Sequence, residues 1–145
     1  MAGFKGVEPL TKEFTEENFA KKLQRTSQPI KLALMDQALI AGVGNIYANE
    51  ALWEAGISPL KPAKKLSNLE IKRLKKSLEK VLQLGIKYGG ASENTYRQLS
   101  GLGGKYQEHF LVYQREGKPC LRCKTPVKKI QLAGRGTYFC PACQQ

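Results

Sequence analysis

The four cysteines of the chain stand in two pairs near its C-terminal end. Cys120 and Cys123 form the first C-x2-C pair, and after sixteen intervening residues Cys140 and Cys143 form the second. A gap of roughly 15–20 residues between two such pairs is typical of a zinc site. Each pair directs two thiolates toward one point, and four thiolates complete the tetrahedron that Zn²⁺ accepts, with no position left for a substrate. The spacing therefore predicts one structural zinc ion; the alternative is two disulfides, which the lack of an apolar secretory segment after Met1 disfavours.

The residues between the two cysteine pairs predict a β-hairpin with an arginine near its tip. Polar and apolar residues alternate over 128–132, a glycine-rich turn follows over 133–136, and 137–139 leads into the second pair. Arg135 lies between two glycines, where its planar guanidinium suits a phosphate. A solvated turn arginine is the alternative, but the density of other cations in this module favours an anion-binding role. Those cations are Arg115, Lys118, Arg122, Lys124, Lys128 and Lys129.

The whole chain carries a large positive charge. Its 145 residues include 24 Lys and Arg against 12 Asp and Glu, which gives a formal net charge of +12. Such an excess predicts a polyanionic partner and binding that weakens with salt. A membrane surface is the other common partner of a basic protein, but no apolar run approaches the ~18–20 residues of a transmembrane span and no lipidation motif is present. We therefore expect a nucleic acid as partner and no membrane.

The first two-thirds of the chain is predicted to be helical, beginning with two helices. Thr15 followed by two glutamates is typical of an N-cap, and Phe19 and Leu23 then lie on one apolar face. Proline suits the first turn of a helix, so a second helix is predicted to start at Pro29 and to stop at the glycines of 42–44. The apolar face predicted for this second helix consists of Ile30, Leu34, Ala38 and Ala41.

Two further helices are predicted after the glycine-rich turn. The third starts at Asn45 or Ile46 and ends at Gly56. The fourth and longest opens with the capping box of residues 67–70. Its apolar face consists of Leu74, Leu78, Val81, Leu82 and Gly85, and its cations form a face that we interpret as solvated. A polar segment over 91–105 then follows without hydrophobic periodicity, and a loop of this length is either functional or disordered.

The turn between the second and third helices predicts an anion pocket. It leaves the amides of Gly44 and Asn45 free at a helix N-terminus, where unpaired N–H groups and the positive end of the helix dipole attract anions. The side chain of Asn45 adds a further donor. The alternative is a helix–helix corner in which Asn45 only caps the helix.

Taken together, these segments resemble formamidopyrimidine-DNA glycosylase, a bacterial DNA-repair family. The resemblance rests on Leu34-Met-Asp-Gln37, on Gly42-Val-Gly-Asn-Ile-Tyr-Ala48, and on the cysteine pairs that enclose Gly134-Arg-Gly-Thr137. In that family these segments form a helix–two-turn–helix motif and a C-terminal zinc finger. The resemblance implies a mainly α fold in which a linker over 1–14 precedes a helix–two-turn–helix domain over 15–112. A small β-hairpin zinc finger over 113–145 completes it.

The resemblance also implies roles for individual residues. Lys31 and Asn45 match the lysine and asparagine with which the family grips phosphates, and Arg135 matches the zinc-finger arginine that holds phosphates around the extruded nucleotide. The segment over 91–106 matches the loop that covers the flipped base, typically 8-oxoguanine or formamidopyrimidine, because the glycosidic carbon cannot be reached inside a stacked duplex. The residues assigned to that loop's contacts are Ser92, Thr95, Tyr96 and Arg97, in a stretch that departs from the family's usual forms.

The family's catalytic group has no match in this sequence. Catalysis there begins when the amine of an N-terminal proline attacks the sugar C1′ and forms a Schiff base, whereas this chain begins Met1-Ala2 and the nitrogen of Pro9 is part of an amide. We therefore expect an inactive, double-stranded-DNA-binding half of a base-excision-repair glycosylase and AP lyase, in the bacterial cytoplasm with the nucleoid. An N-terminal catalytic domain is expected in the full-length protein. The alternative is a stand-alone DNA- or RNA-binding zinc protein, since helix–two-turn–helix modules also occur in a ribosomal protein.

Overall fold

Helices make up most of the structure, and a two-stranded hairpin follows them. A computed structural model describes residues 6–88 and 106–145. Its elements are α1 (Glu16–Leu23), α2 (Ile30–Met35), α3 (Asn45–Ala55), α4 (Asn68–Lys87), β1 (Lys128–Leu132) and β2 (Arg135–Phe139), with short 3₁₀ turns at Ala63–Lys65 and Tyr106–His109. This arrangement confirms the mainly α class with a terminal β-hairpin. Within the two described ranges, none of the helices combines the length and the apolar character that crossing a bilayer demands.

The predicted caps of α1 and α4 are present. The hydroxyl of Thr15 accepts the amide of Asn18 at 3.0 Å. At the start of α4, the hydroxyl of Ser67 accepts the amide of Glu70 at 3.2 Å, and the Glu70 carboxylate accepts the amide of Ser67 at 2.9 Å. Because each cap satisfies N–H groups that the first turn leaves unpaired, both helices begin where the sequence predicts.

The second helix is shorter than predicted, because its end is set by side chains and not by the glycines. α2 ends at Met35, and Asp36 is extended, with φ −77° and ψ 106°. The Asp36 carboxylate accepts the amide of Ala38 at 3.0 Å, and the Gln37 side chain accepts the amide of Gly42 at 2.7 Å. Such local bonds offer the backbone an alternative to the helix. Ala38 is therefore exposed, and its predicted place on the apolar face was wrong.

Helix α3 lies at the centre of the molecule and is buried on nearly every side. It begins at Asn45 and ends at Gly56, whose φ of 74° is in the left-handed region that favours glycine. α4 packs along it, and a Cβ on Gly85 would overlap the hydroxyl of Tyr47. The two helices approach closely at this point because Gly85 has no side chain.

Two apolar clusters meet on α3. One is the helical core, whose largest fully buried side chains include Phe19, Leu23, Leu34, Leu52 and Leu78. The other is an aromatic column that runs from α3 to the hairpin. Its successive ring centroids lie 6.0, 5.2, 5.3 and 4.9 Å apart, in the order Tyr47, Tyr106, Phe110, Tyr113 and Tyr138. The column places β2 against α3, and so the helical domain and the hairpin share one helix.

Candidate zinc centre and nucleic-acid interface

The four cysteine sulfurs converge on a single point. All four Sγ atoms lie within 4.8 Å of one another, with Cys120 and Cys143 3.6 Å apart and Cys123 and Cys140 3.4 Å apart. A tetrahedron with Zn–S bonds of about 2.3 Å has sulfurs about 3.8 Å apart, whereas a disulfide requires about 2.05 Å. The donor set therefore fits zinc and excludes the disulfide alternative, since all four cysteines are free.

The first cysteine pair is attached to the C-terminal end of α3. The indole N–H of Trp53 donates to Cys120 Sγ at 3.3 Å. The guanidinium of Arg122 stacks on the Trp53 ring at 3.8 Å and donates to the carbonyls of Trp53 and Glu54. Burial raises the pKa of the Cys120 thiol, but backbone N–H donors and the indole outweigh burial and lower this pKa to about 6. This thiol is thus prepared to ionise, as zinc binding requires.

The second cysteine pair is attached to the loop that follows α3. The Gln144 side chain accepts the amide of Cys140 at 2.8 Å and donates to the carbonyl of Ile57 at 2.9 Å. The backbone of Gln145 exchanges hydrogen bonds with Gly56 and Ser58 at 3.1 and 3.0 Å. These contacts could not be predicted from the sequence, because a glutamine after the last cysteine is unremarkable by itself. Both halves of the metal site are therefore held at the C-terminal end of α3, one by the helix and one by the loop that follows it.

Three side chains of the helical domain converge on the carbonyl of Gly136 in β2. The ammonium of Lys31 donates to the Thr137 hydroxyl at 2.8 Å and lies 3.5 Å from the Gly136 oxygen. The amide nitrogens of Asn45 and Asn49 donate to the same oxygen at 3.2 and 3.3 Å. We call these five residues the Gly136 hub. Because Arg135 precedes Gly136, the hub brings the hairpin arginine next to the N-terminus of α3.

The structure thus brings together the predicted interface residues that it describes. Arg135 and Gly44 are exposed, whereas Asn45, which follows Gly44 and belongs to the hub, is only 5% exposed. Among the described residues, the side-chain oxygen of Asn45 has no hydrogen-bond partner. Among the residues that the structure describes, no side chain caps the N-terminus of α3, so its first turn can present amides to an anion. The predicted loop contacts Ser92, Thr95, Tyr96 and Arg97 lie outside the described residues.

Lys31 occupies a different environment from the one its predicted role suggests. Its side chain is 0% exposed. Burial, with a smaller contribution from the Arg135 charge, lowers the pKa of Lys31 to about 8. In this structure its ammonium is covered by the hairpin and bonds to Thr137 and Gly136 of β2. Its role as a phosphate contact remains a prediction.

Sequence reasoning missed Glu50, which anchors the segment leading into the zinc finger. Its buried carboxylate accepts the amides of Leu111, Val112 and Tyr113 at 2.7, 2.8 and 2.9 Å. Burial raises the pKa of Glu50 to about 6, against the opposing effect of these three bonds. The only hint in the sequence is a carboxylate in the middle of a helix that is otherwise apolar on several faces.

The fold and these two sites define a helix–two-turn–helix protein with a C-terminal four-cysteine zinc finger. Residues 5–97 match the family model described as the formamidopyrimidine-DNA glycosylase H2TH domain, and residues 117–145 match the zinc finger found in FPG and IleRS. The chain belongs to the formamidopyrimidine-DNA glycosylase H2TH domain family. The match to the zinc-finger model and the four-cysteine cluster together confirm the prediction of one structural zinc.

The relatives are considerably longer than this chain. Formamidopyrimidine-DNA glycosylase from Chloroflexus aggregans is 51% identical over 139 residues, which are 96% of this chain and 50% of the relative. The crystal structure of the Thermus thermophilus protein has a TM-score of 0.88 at 46% identity and covers 97% of this chain and 54% of its own. The Lactococcus lactis glycosylase, bound to DNA with an AP site, has a TM-score of 0.87 at 42% identity over 99% of this chain and 52% of its own. The chain spans about half the length of the relatives it matches.

Proposed function

We propose that this chain is the damaged-DNA-binding half of a base-excision-repair glycosylase and AP lyase for oxidised purines. One observation carries the proposal: the Gly136 hub places the exposed Arg135 beside the N-terminus of α3, which no side chain of the described residues caps. The chain's net charge of +12 supports a nucleic acid as the partner. Solved relatives are complexes with DNA that contains an AP site or carbocyclic 8-oxoguanine.

The two parts of the interface recognise phosphates in different ways. The amides at Gly44 and Asn45 offer N–H groups together with the positive end of the α3 dipole. Arg135 offers a planar fork that can bind two phosphate oxygens at once. Two such contacts side by side can hold the backbone on both sides of a nucleotide that has left the stack. In our proposal the segment over 91–106 covers the extruded base.

The zinc ion supports this interface without taking part in chemistry. Four thiolates leave zinc no open position, so the metal contributes folding free energy to the hairpin that carries Arg135. Glycosylase and lyase activities of the whole protein are part of the proposal, through an N-terminal catalytic domain in the full-length protein. We further propose that the protein acts in the cytoplasm, in association with the nucleoid.

Fluorescence anisotropy with a labelled duplex that carries an abasic-site analogue tests the proposed grip. Arg135→Ala and Asn45→Ala should each weaken binding by about 1–3 kcal/mol, as expected when a charge-assisted or buried hydrogen bond is lost. Lys76→Ala is the matched control, because Lys76 lies on the exposed face of α4. If all three variants lose the same affinity, diffuse charge and not a defined phosphate grip explains the binding. An RNA duplex of equal length serves as competitor, and preference for RNA would favour the ribosome-like alternative.

A further inference from the structure

Asn49 makes three side-chain hydrogen bonds, two of which join α3 to the outer edge of β2. It lies one turn after Asn45 and is 1% exposed. Its side-chain oxygen accepts the amide of Tyr138 at 2.7 Å, and its side-chain nitrogen donates to the carbonyls of Gly136 at 3.3 Å and of Asn45 at 2.9 Å. A single buried side chain therefore bonds both to the strand that begins with Arg135 and to the first turn of α3.

The two bonds to β2 reproduce the pairing of a neighbouring strand. In a β-ladder, the N–H of one residue and the C=O of the residue two positions earlier point to the same side of the strand. Gly136 and Tyr138 are such a pair, and both are already in register with Gln131 and Lys129 of β1. The carboxamide oxygen of Asn49 accepts the Tyr138 amide and its nitrogen donates to the Gly136 carbonyl, as the backbone of a third strand would. These two bonds support the hairpin, because an isolated two-stranded hairpin is marginally stable in water.

We propose that Asn49 is a positioning residue for DNA binding, whose carboxamide fixes β2 against α3 and thereby sets where Arg135 stands relative to the α3 N-terminus. The inference rests on the proposed function above, since it assigns Asn49 a role at that same interface. A shift of one residue along a strand displaces a side chain by about 3.3 Å and turns it to the other face. Such a shift exceeds the tolerance of a hydrogen bond to a phosphate.

The variants should distinguish positioning from direct contact. Asn49→Ala removes all three side-chain bonds, whereas Asn49→Asp keeps an acceptor for the Tyr138 amide but sets a carboxylate against the Gly136 carbonyl. We expect Asn49→Ala to weaken binding to the abasic-analogue duplex about tenfold. The slope of log affinity against log salt should stay that of the wild type, because no phosphate contact is removed. Arg135→Ala should instead lower that slope by about one unit.

A double-mutant cycle of DNA affinities distinguishes positioning from a general loss of stability. If Asn49 acts through the Arg135 hairpin, Asn49→Ala should lower DNA affinity less than threefold in the Arg135→Ala background. In the Lys76→Ala background, Asn49→Ala should still lower affinity about tenfold. Asn18→Ala is the matched control, because Asn18 also donates a side-chain bond to a carbonyl, that of Glu13 at 2.8 Å, but lies in α1. Asn18→Ala should leave DNA affinity unchanged.

The outcomes separate the two proposals. If the wild-type chain shows no salt-dependent binding to duplex DNA, the proposed function fails and the role of Asn49 fails with it. If the wild type and Arg135→Ala behave as proposed but Asn49→Ala binds like wild type, or acts independently of Arg135→Ala, only the positioning role is overturned. Should Asn49→Ala not fold, Asn49→Asp carries the same cycle. Without DNA, hydrogen exchange should then show a faster Tyr138 amide in Asn49→Asp, because repulsion between its carboxylate and the Gly136 carbonyl displaces β2 from the acceptor that remains. Unchanged protection of that amide would also overturn the role.

Discussion

The buried ammonium of Lys31 should make the stability of the protein rise with pH in the alkaline range. The Lys31 side chain is 0% exposed, and burial followed by the Arg135 charge lowers its pKa from 10.5 to about 8. In the unfolded chain the same lysine is in water and regains its ordinary pKa. The folded state therefore holds this charge at a cost whenever the pH is below about 8.

The size of the effect follows from the gap between the two pKa values. From about 8 to 10.5 the unfolded state binds more protons than the folded state at Lys31. The free energy of unfolding should therefore rise with pH across this window, by up to about 3 kcal/mol at about 1.4 kcal/mol per pKa unit. Below about pH 7 both states are protonated at Lys31, and this contribution should be flat.

Urea unfolding of the zinc-loaded chain at a series of pH values from about 7 to 10.5 tests this linkage. Other lysines and tyrosines titrate in the same range, so the informative quantity is the wild-type stability minus that of Lys31→Met. That difference should increase with pH. Lys76→Met, at an exposed lysine of α4, is the matched control. A Lys31→Met difference that is independent of pH would refute the reasoning and show that the Lys31 charge is well solvated.

Three further perturbations have expected outcomes. Removal of zinc with a chelator should unfold the hairpin. The fluorescence of Trp53 should then change, because its indole donates to Cys120 Sγ. A circular-dichroism spectrum and a fluorescence that both stay unchanged would contradict this prediction. Gly85→Ala should destabilise the protein by about 1–3 kcal/mol in urea unfolding, because its methyl group would overlap the Tyr47 hydroxyl, and a neutral result would show that α4 can shift. Glu50→Ala should cost about 3–5 kcal/mol in the same assay, because two buried amides and one partly buried amide lose their acceptor. A loss below about 1 kcal/mol would show that water replaces the carboxylate.

The features predictable from the sequence are those that short segments determine. The cysteine spacing, the capping box of α4 and the start of α3 each depend on residues within a few positions of one another. The end of α2 is also local, but the prediction was wrong because the apolar period continued past Met35. There the carboxylate of Asp36 and the amide of Gln37 bond to nearby backbone and turn the chain. Side-chain competition of this kind outweighs periodicity in a short helix.

The features that could not be predicted are contacts between residues far apart in the chain. Glu50 accepts amides about sixty positions later, and Lys31 donates to Thr137 more than a hundred positions later. A sequence shows that these residues are polar but not which groups they will meet. Asn49 and Glu50 became recognisable as buried polar residues only when the zinc finger was seen packed against the face of α3 that carries them.

The arrangement of α3 connects the zinc site to the proposed phosphate site. Eleven residues at about 1.5 Å each separate its two ends by about 16 Å. The N-terminal end, with the amides of Gly44 and Asn45, is the proposed phosphate site. At the C-terminal end, the guanidinium of Arg122 donates to the carbonyls of Trp53 and Glu54 beside the metal ligands. The zinc finger thus supplies the positive charge that the C-terminal end of a helix dipole favours, and in our proposal a DNA phosphate supplies the negative charge at the other end.

Apolar packing holds the hairpin against α3, whereas the polar bonds fix its exact position there. The aromatic column from Tyr47 to Tyr138 buries large rings against α3, but such burial is non-directional and tolerates small shifts of the hairpin. The Gly136 hub is directional, because each donor must meet one carbonyl oxygen. Burying a lysine and two asparagines there costs desolvation that apolar residues would avoid. Their presence is explained if the position of the hairpin, more than its stability, is what the interface requires.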